Sequence, residues 1–303
     1  MSSKGIRIIE VGLRDGLQNE STNLTVDQRF NLLSKLVDAG VKAFEVGAFV
    51  SPKWVPQMAV TSDLIEKVVD AYPDQKKYHY SVLVPNEQGM LQALKAGVKE
   101  VALFASSSET FSQKNINCSI EESFERFKPI MVLAKKNNIR VRGYLSVCFG
   151  CPFEGYVPEK KVIELAKRLY KLGCYEVSIG DTIGVANAGQ VESLFKKLKK
   201  VVPSKKIAGH FHDTRGQALA NILAAYKAGI KNFDSSIGGL GGCPYAKGAT
   251  GNVATEDVIY MFSGMGLDTG IDLAKLIEIN KWLEPQMNHK LSSKVGKVGL
   301  LDS

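Results

Sequence analysis

Two of the four histidines in the 303-residue chain stand at i and i+2, in Gly209-His210-Phe211-His212-Asp213-Thr214. On an extended segment that spacing sends both imidazoles off one face of the backbone, which is how a strand offers two ligands to one metal ion. Lys206-Ile207-Ala208 is a short apolar lead-in after Pro203, and Gln217 to Tyr226 reads as a helix ending at Gly229. The pair therefore falls where a strand ends and a helix follows. In a repeating βα chain, ligands and catalytic groups collect at the carboxyl ends of strands. A plainer reading also exists, with one histidine facing the core and the other capping a turn, so the rest of the chain has to decide.

Four segments share one phrase: Asp38-Ala-Gly-Val-Lys-Ala-Phe-Glu-Val, Lys95-Ala-Gly-Val-Lys-Glu-Val-Ala-Leu, Lys171-Leu-Gly-Cys-Tyr-Glu-Val-Ser-Ile and Lys227-Ala-Gly-Ile-Lys-Asn-Phe-Asp-Ser. In each, a helix closes on a glycine suited to the left-handed position, and an apolar strand begins about two residues later. Reading between these joints places strands near 6–11, 43–47, 79–84, 100–104, 141–147, 175–179, 207–212 and 233–237. Helices fill the gaps. Thr25-Val-Asp-Gln28 and Ser119-Ile-Glu-Glu122 have capping-box form, and Pro158 suits a first helical turn.

Eight strands alternating with helices predict an α/β fold, a (β/α)8 TIM barrel over about residues 6–266, in a single domain spanning 1–303. The turn after the first strand, Gly12-Leu-Arg-Asp-Gly, is not a dinucleotide fingerprint, which argues against a doubly wound open sheet. An additional C-terminal helix is expected over 272–283, within a 267–303 extension whose polar, Lys-rich tail from Glu284 onward is expected to be loose near its end.

Set against this strand map, the unusual polar residues fall on one side. Arg14 and Asp15 follow strand 1, Glu45 ends strand 2, Asp181 follows strand 6, His210 and His212 end strand 7, and Cys243 and Asn252 follow strand 8. A barrel brings those carboxyl ends to one mouth. Imidazoles with a carboxylate and an amide oxygen make a mixed nitrogen and oxygen set, suited to Mg2+ or Mn2+ with open water positions; Zn2+ is the alternative, although a closed structural zinc site would recruit thiolates. Asp213 also follows the pair, and its place at a helix start favours a capping role. The loop from Gly238 to Asn252 carries six of the 28 glycines, which suits a loop that moves or approaches a ligand closely, and Cys243 rides on it as a candidate acid, base or nucleophile.

The remaining composition narrows the class. With 45% hydrophobic and 23% charged residues the chain is an ordinary globular one. Its apolar runs are short, which speaks against a membrane span. The net charge of +8 is scattered apart from a lysine cluster at 196–206 that reads as a solvated helix face, and no nucleic-acid signature accompanies it. The five cysteines are odd in number and lack a secreted pairing pattern, so they read as thiols; Cys148-Phe-Gly-Cys151 has redox or zinc spacing but no second pair.

Arg14-Asp-Gly-Leu-Gln-Asn-Glu, Ser51-Pro-Lys-Trp-Val-Pro-Gln-Met, Asn115-Ile-Asn-Cys-Ser-Ile-Glu-Glu, Gly180-Asp-Thr-Ile-Gly, His210-Phe-His-Asp-Thr and Gly239-Leu-Gly-Gly-Cys-Pro-Tyr-Ala together resemble hydroxymethylglutaryl-CoA lyase. The wider group is the barrel metallolyases, with isopropylmalate and homocitrate synthases. The resemblance implies divalent-metal ligation by Asp15, His210, His212 and Asn252. It further implies a thioester carbonyl held by Arg14, proton transfer by Cys243, and a site supported by Glu45 and Asp181. The activity it implies is cleavage of 3-hydroxy-3-methylglutaryl-CoA to acetoacetate and acetyl-CoA. A Claisen-type synthase of the same group, or a lyase for a longer 3-alkyl chain, is the alternative. Lys53, Lys114 and Lys247 lie on mouth-side loops and are the candidates for the CoA phosphates. The expected partner is the CoA thioester, with no nucleic acid or membrane and with a homodimer left open. Lacking a leader and a terminal peroxisomal signal, the chain is expected to be a bacterial, cytoplasmic form.

Overall fold

The structure, a computed structural model, describes residues 5–242 and 251–300. Cys243 and Lys247 lie outside the described residues. Eight parallel strands close into a barrel in chain order, β1 (Arg7–Glu10), β2 (Ala43–Ala48), β3 (His79–Leu83), β4 (Glu100–Ser106), β5 (Arg140–Ser146), β6 (Glu176–Asp181), β7 (Ile207–Phe211) and β8 (Asn232–Ser235). The barrel is sealed where Arg7 to Glu10 pair with Asn232 to Ser235. Every strand end falls within two residues of the expected position.

The helices are α1 (Val26–Asp38), α2 (Thr61–Ala71), α3 (Glu87–Lys95), α4 (Glu109–Ile116), α5 (Ile120–Lys136), α6 (Glu159–Leu172), α7 (Ala188–Leu198), α8 (Ala218–Lys227), α9 (Thr255–Gly264), α10 (Leu273–Met287) and α11 (Lys294–Val298). Each outer helix lays one apolar stripe on the sheet. In α6 this is Val162, Leu165, Ala166 and Leu169, all buried, at the spacing of a single helical face. Burying each of the larger aliphatic side chains stabilises the fold by roughly 1.5–3 kcal/mol. Both expected capping boxes form, Thr25 with Gln28 and Ser119 with Glu122. Pro158 sits one residue before the first turn of α6, where its own carbonyl accepts from Lys161 N–H.

Along the strands the alternation is outward apolar, inward polar. On β8 Phe233 packs outward on Phe262 of α9 while Asp234 turns inward. On β5 Arg142 and Tyr144 share the inner face, guanidinium over ring at 4.8 Å. The barrel centre is therefore partly an ion network: Arg142 Nε donates to Glu176 at 2.7 Å, Arg142 Nη2 to Asp234 at 2.7 Å, and Ser178 Oγ to Asp234 at 2.7 Å. Buried charges persist only when paired in this way.

The C-terminal extension corrects the sequence reading. The helix continues through Pro285 to Met287, and a second short helix, α11, follows. The tail is docked: Asp257 of α9 accepts from Ser293 Oγ at 2.9 Å, Lys294 N at 3.0 Å and Val295 N at 2.8 Å. This polar stretch is held by a buried carboxylate from another helix, and the chain end expected to be loose, 301–303, lies outside the described residues.

Candidate metal centre

The turn that follows β1 carries Arg14 and Asp15. It is a single wide π-type turn, Gly12–Gly16, and it packs so closely that a Cβ on Gly12 would lie 2.6 Å from Glu10 Oε1 and 3.1 Å from Ile237. Arg14 is 5% exposed and lies between two carboxylates, donating from Nε to Glu45 Oε2 at 2.5 Å and from Nη1 to Asp15 Oδ1 at 2.6 Å. Burial alone would disfavour its charge, but Glu45 and Asp15 outweigh that and hold it cationic, above the ordinary arginine value. Asp15 is likewise opposed by burial, and Arg14 with the two imidazoles carries its carboxyl well below the usual range.

Glu45 comes from β2, just before a bulge between Glu45 and Gly47 that Thr61 braces through Ala48. Burial pushes its carboxyl up, Arg14 pulls it back, and Oε1 has no hydrogen-bond partner among the described residues. Nearby, Val147 after β5 takes φ 54°, a strained conformation for a β-branched residue, with its N–H held by Thr182 Oγ1 at 2.9 Å.

The two histidines point inward together, ring centroids 5.3 Å apart. Each Nε2 lies 3.8 Å from the same atom, Asp15 Oδ2. That is too long for a hydrogen bond, and it falls between the cis and trans separations, about 3.0 and 4.2 Å, of ligands each about 2.1 Å from one ion. Ligand atoms of Asp15, His210 and His212 all lie within 4.8 Å of one another. The tautomer of His210 also fits: Nδ1 faces Asp234 Oδ2 at 3.2 Å, and Asp234 is held down to about 2, burial being outweighed by Arg142 and His210. The carboxylate accepts a hydrogen bond from Nδ1–H and leaves the Nε2 lone pair directed at Asp15. Asn252 reaches the same oxygen, its Nδ2 donating to Asp15 Oδ2 at 2.8 Å and to Leu240 O at 3.2 Å.

Asp181 is close but differently employed. Its carboxylate accepts from Val185 N and Ala186 N, both at 3.0 Å, and its carbonyl accepts from His212 N at 3.3 Å. It shapes the loop after β6 and steadies the backbone of His212. Asp213 accepts from Ala218 N at 3.0 Å, the capping role its position implies. Lys53 and Lys114 are exposed beyond β2 and in α4, and Lys114 Nζ lies 4.3 Å over the Phe153 ring. Cys148 and Cys151 are free, buried thiols bonded to Leu145 O and Ser108 Oγ, and burial pushes Cys148 up to about 12.

Sequence reasoning missed Asp234, Arg142 and Glu176. One signal for Asp234 was present: in the repeated joint phrase it occupies the place of Glu45, and its hydrogen-bond partner Ser178 occupies the same place in the third copy.

A closed eight-stranded barrel with two imidazoles and a carboxylate converging at its carboxyl mouth defines the class: a barrel whose mouth could hold a metal ion. The sequence profile of the HMGL-like family matches residues 5–283. The chain is 49% identical over 97% of its length to the mitochondrial hydroxymethylglutaryl-CoA lyase of Rattus norvegicus, covering 89% of that protein. It is 48% identical over 97% of its length to a 3-hydroxy-3-isohexenylglutaryl-CoA/hydroxymethylglutaryl-CoA lyase of Pseudomonas aeruginosa, covering 97% of that one. A crystal structure of the hydroxymethylglutaryl-CoA lyase from Pseudomonas aeruginosa superposes with a TM-score of 0.92 at 48% identity, over 97% of each chain. The chain belongs to the hydroxymethylglutaryl-CoA lyase family.

Proposed function

We propose that the chain cleaves 3-hydroxy-3-methylglutaryl-CoA to acetoacetate and acetyl-CoA, as a carbon–carbon lyase. The observation that carries the reading is the approach of both imidazole Nε2 atoms to Asp15 Oδ2, beside an Arg14 guanidinium already paired with Glu45. Asp15, His210 and His212, with Asn252 as a fourth ligand, would hold a divalent ion, Mg2+ or Mn2+. When bound, such an ion lowers the pKa of a chelated tertiary hydroxyl and fixes the substrate carboxylate.

The hydroxyl loses its proton to a base, the bond between C2 and C3 breaks, and its electron pair passes to the thioester as an enolate. Arg14 is placed to stabilise the enolate oxygen, and its two carboxylate partners hold it there before substrate arrives. The enolate carbon takes a proton to give acetyl-CoA, and we assign that transfer to Cys243. Glu45 and Asp181 support the site by fixing Arg14 and the backbone beneath His212. Lys53, Lys114 and Lys247 are proposed to meet the CoA phosphates. Each would contribute little alone because exposed charges are screened.

We further read 1–303 as one domain acting in the cytoplasm, where free buried thiols stay reduced, with a homodimer left open. The Claisen-type synthase reading is not favoured, because relatives at about 48% identity across nearly the whole chain are lyases. Acceptance of a longer 3-alkyl chain keeps support from the isohexenylglutaryl-CoA relative. The test is cleavage of several 3-hydroxy-3-alkylglutaryl-CoA thioesters after chelation and after adding back Mg2+ or Mn2+. Activity should vanish and return, and His212→Ala should weaken Mn2+ binding by roughly tenfold or more. Full turnover by the chelated enzyme would overturn the reading.

A further inference from the structure

The glycine-rich segment after β8 enters and leaves through two stems that touch backbone to backbone. Gly251 has φ 78°, and a Cβ there would lie 0.9 Å from Gly241 O, so no other residue fits while Gly241 stays in place. The entering stem is gripped by three buried carboxylates. Glu10 Oε1 accepts from Ile237 N at 2.9 Å, Glu256 from Gly238 N at 3.0 Å, and Glu20 Oε1 from Gly241 N at 3.3 Å. Glu10 and Glu256 act at the foot of the stem, on the barrel and on α9. Glu20 acts at its top, two residues before Cys243, and its neighbour Asn19 donates from Nδ2 to Gly242 O at 2.9 Å.

Glu20 is itself tied to the C-terminal extension. Its Oε2 lies 2.7 Å from His289 Nε2, while His289 Nδ1 lies 2.9 Å from Lys290 O. A carbonyl and a carboxylate only accept, so both ring nitrogens must donate and His289 is an imidazolium. Thr22 Oγ1 donates to Met287 O at 3.1 Å and fastens the same two segments. The carboxylate of Glu20, 8% exposed as a residue, thus joins the loop stem to the tail from just beyond the turn, Gly12–Gly16, that carries Arg14 and Asp15. Among the described residues it bonds neither to Asp15 nor to either metal-facing imidazole.

We propose that Glu20 is a positioning residue for the reaction: bridging Gly241 N–H and the His289 imidazolium, it clamps the loop stem onto the turn that carries Arg14 and Asp15, and so sets the reach of Cys243. The inference rests on the assignment of Cys243 as the proton carrier. Because the two stems touch, an anchor on Gly241 constrains both ends of the segment at once. A misplacement of about 1 Å at a reacting group costs on the order of a hundredfold in rate, so a clamp far from the substrate is able to matter.

The experiment compares Glu20→Ala and Glu20→Gln in otherwise wild-type and in Cys243→Ala enzyme, measuring kcat, KM, Mn2+ affinity, melting and the rate of Cys243 alkylation by iodoacetamide. Glu20→Ala should lower kcat by roughly tenfold to a hundredfold with Mn2+ affinity and KM nearly unchanged, and should alter Cys243 alkylation without altering that of Cys118 or Cys174. Glu20→Gln should recover most of the loss, because its carbonyl still accepts from Gly241 and its amide donates to a neutral His289. In Cys243→Ala enzyme, Glu20→Ala should cost nothing further. A Glu20→Ala enzyme that melts earlier yet turns over and alkylates as wild type overturns the clamp, as does one that loses Mn2+ affinity in step with kcat. If Cys243→Ala alone keeps full turnover, the proton-carrier assignment fails by that variant, and the inference that depends on it falls; unchanged alkylation in Glu20→Ala sinks the clamp by itself.

Discussion

The two ends of the barrel hold similar numbers of charges and use them differently. At the amino-terminal end a cavity of about 360 Å³ is edged by Arg7, His79, Arg140, Glu176 and Lys231. Its carboxylates are saturated: Glu100 takes His79 at 2.8 Å, Arg140 at 2.7 Å and the Tyr175 hydroxyl at 2.9 Å, and Glu176 takes Arg7 at 3.1 Å and Arg142 at 2.7 Å. At the carboxyl mouth, Glu45 Oε1, His212 Nδ1 and the Tyr144 hydroxyl are buried with no partner among the described residues, and the Nε2 atoms of His210 and His212 stop 3.8 Å short of Asp15. Leaving a buried polar atom unsatisfied costs about 1–3 kcal/mol. The saturated end spends its charges on holding strands together, whereas the mouth leaves polar groups uncommitted, which is what a ligand site requires.

The largest effect is expected at the mouth. Arg14→Met should remain folded and bind Mn2+ while turnover falls by about a hundredfold or more, the scale of losing a preorganised charge-stabilising donor. Steady-state kinetics beside a melting curve decides it; near-normal turnover would mean that Arg14 is as structural as Arg140. Next comes the link between the ends, Asp234, which faces both Arg142 and His210. Asp234→Asn should weaken Mn2+ binding by about tenfold to a hundredfold, because an amide no longer enforces the Nδ1–H tautomer. A calorimetric titration showing unchanged affinity, with stability alone reduced, would assign Asp234 to the structural end.

The smallest effect on activity belongs to Glu100→Gln, which should leave kcat unchanged and lower stability by about 1–3 kcal/mol at neutral pH. Burial pushes Glu100 up, but His79, Arg140 and Tyr175 outweigh it and set its folded pKa below the ordinary 4.5. A depressed carboxyl contributes stability above its unfolded value and loses it as pH falls through the folded one. Urea titrations should therefore show an acid limb that is shallower in the glutamine variant, the remainder coming from Asp15 and Asp234. A glutamine variant that loses turnover would erase the distinction between the two ends.

Much of the frame could be read from local pattern. The four copies of the helix-Gly-strand joint located half the strands, and Thr25 with Gln28 and Ser119 with Glu122 announced two helix starts that form as written. A third capping box, Asn187 with Gln190, went unread although its asparagine and glutamine have the same spacing. Glu45, Asp181, His210 and His212 could be singled out as candidates because each is a polar group at the end of an apolar run. Arg142, Glu176 and Asp234 were not, since a charge in the middle of a strand looks like a solvent-facing position until a closed barrel gives the strand an inside. The docking of the polar segment after Glu284 was illegible for a similar reason, its polarity being answered by Asp257 and Glu20 from elsewhere in the chain.

What the sequence determined by itself is what depends on neighbours along the chain: the period of the strands, the caps, the glycines at helix ends, and the i, i+2 placement of two imidazoles. Tertiary structure alone decided which lone pairs meet. Asp15 and His212 are brought together only because β1 closes against β8 and every carboxyl end then shares one mouth. The tautomer of His210 is set by Asp234 on the adjacent strand, whose charge is held by Arg142 of β5, three strands away across the barrel. Such contacts depend on through-space distance and on low-dielectric burial, neither of which is a property of any local stretch of sequence.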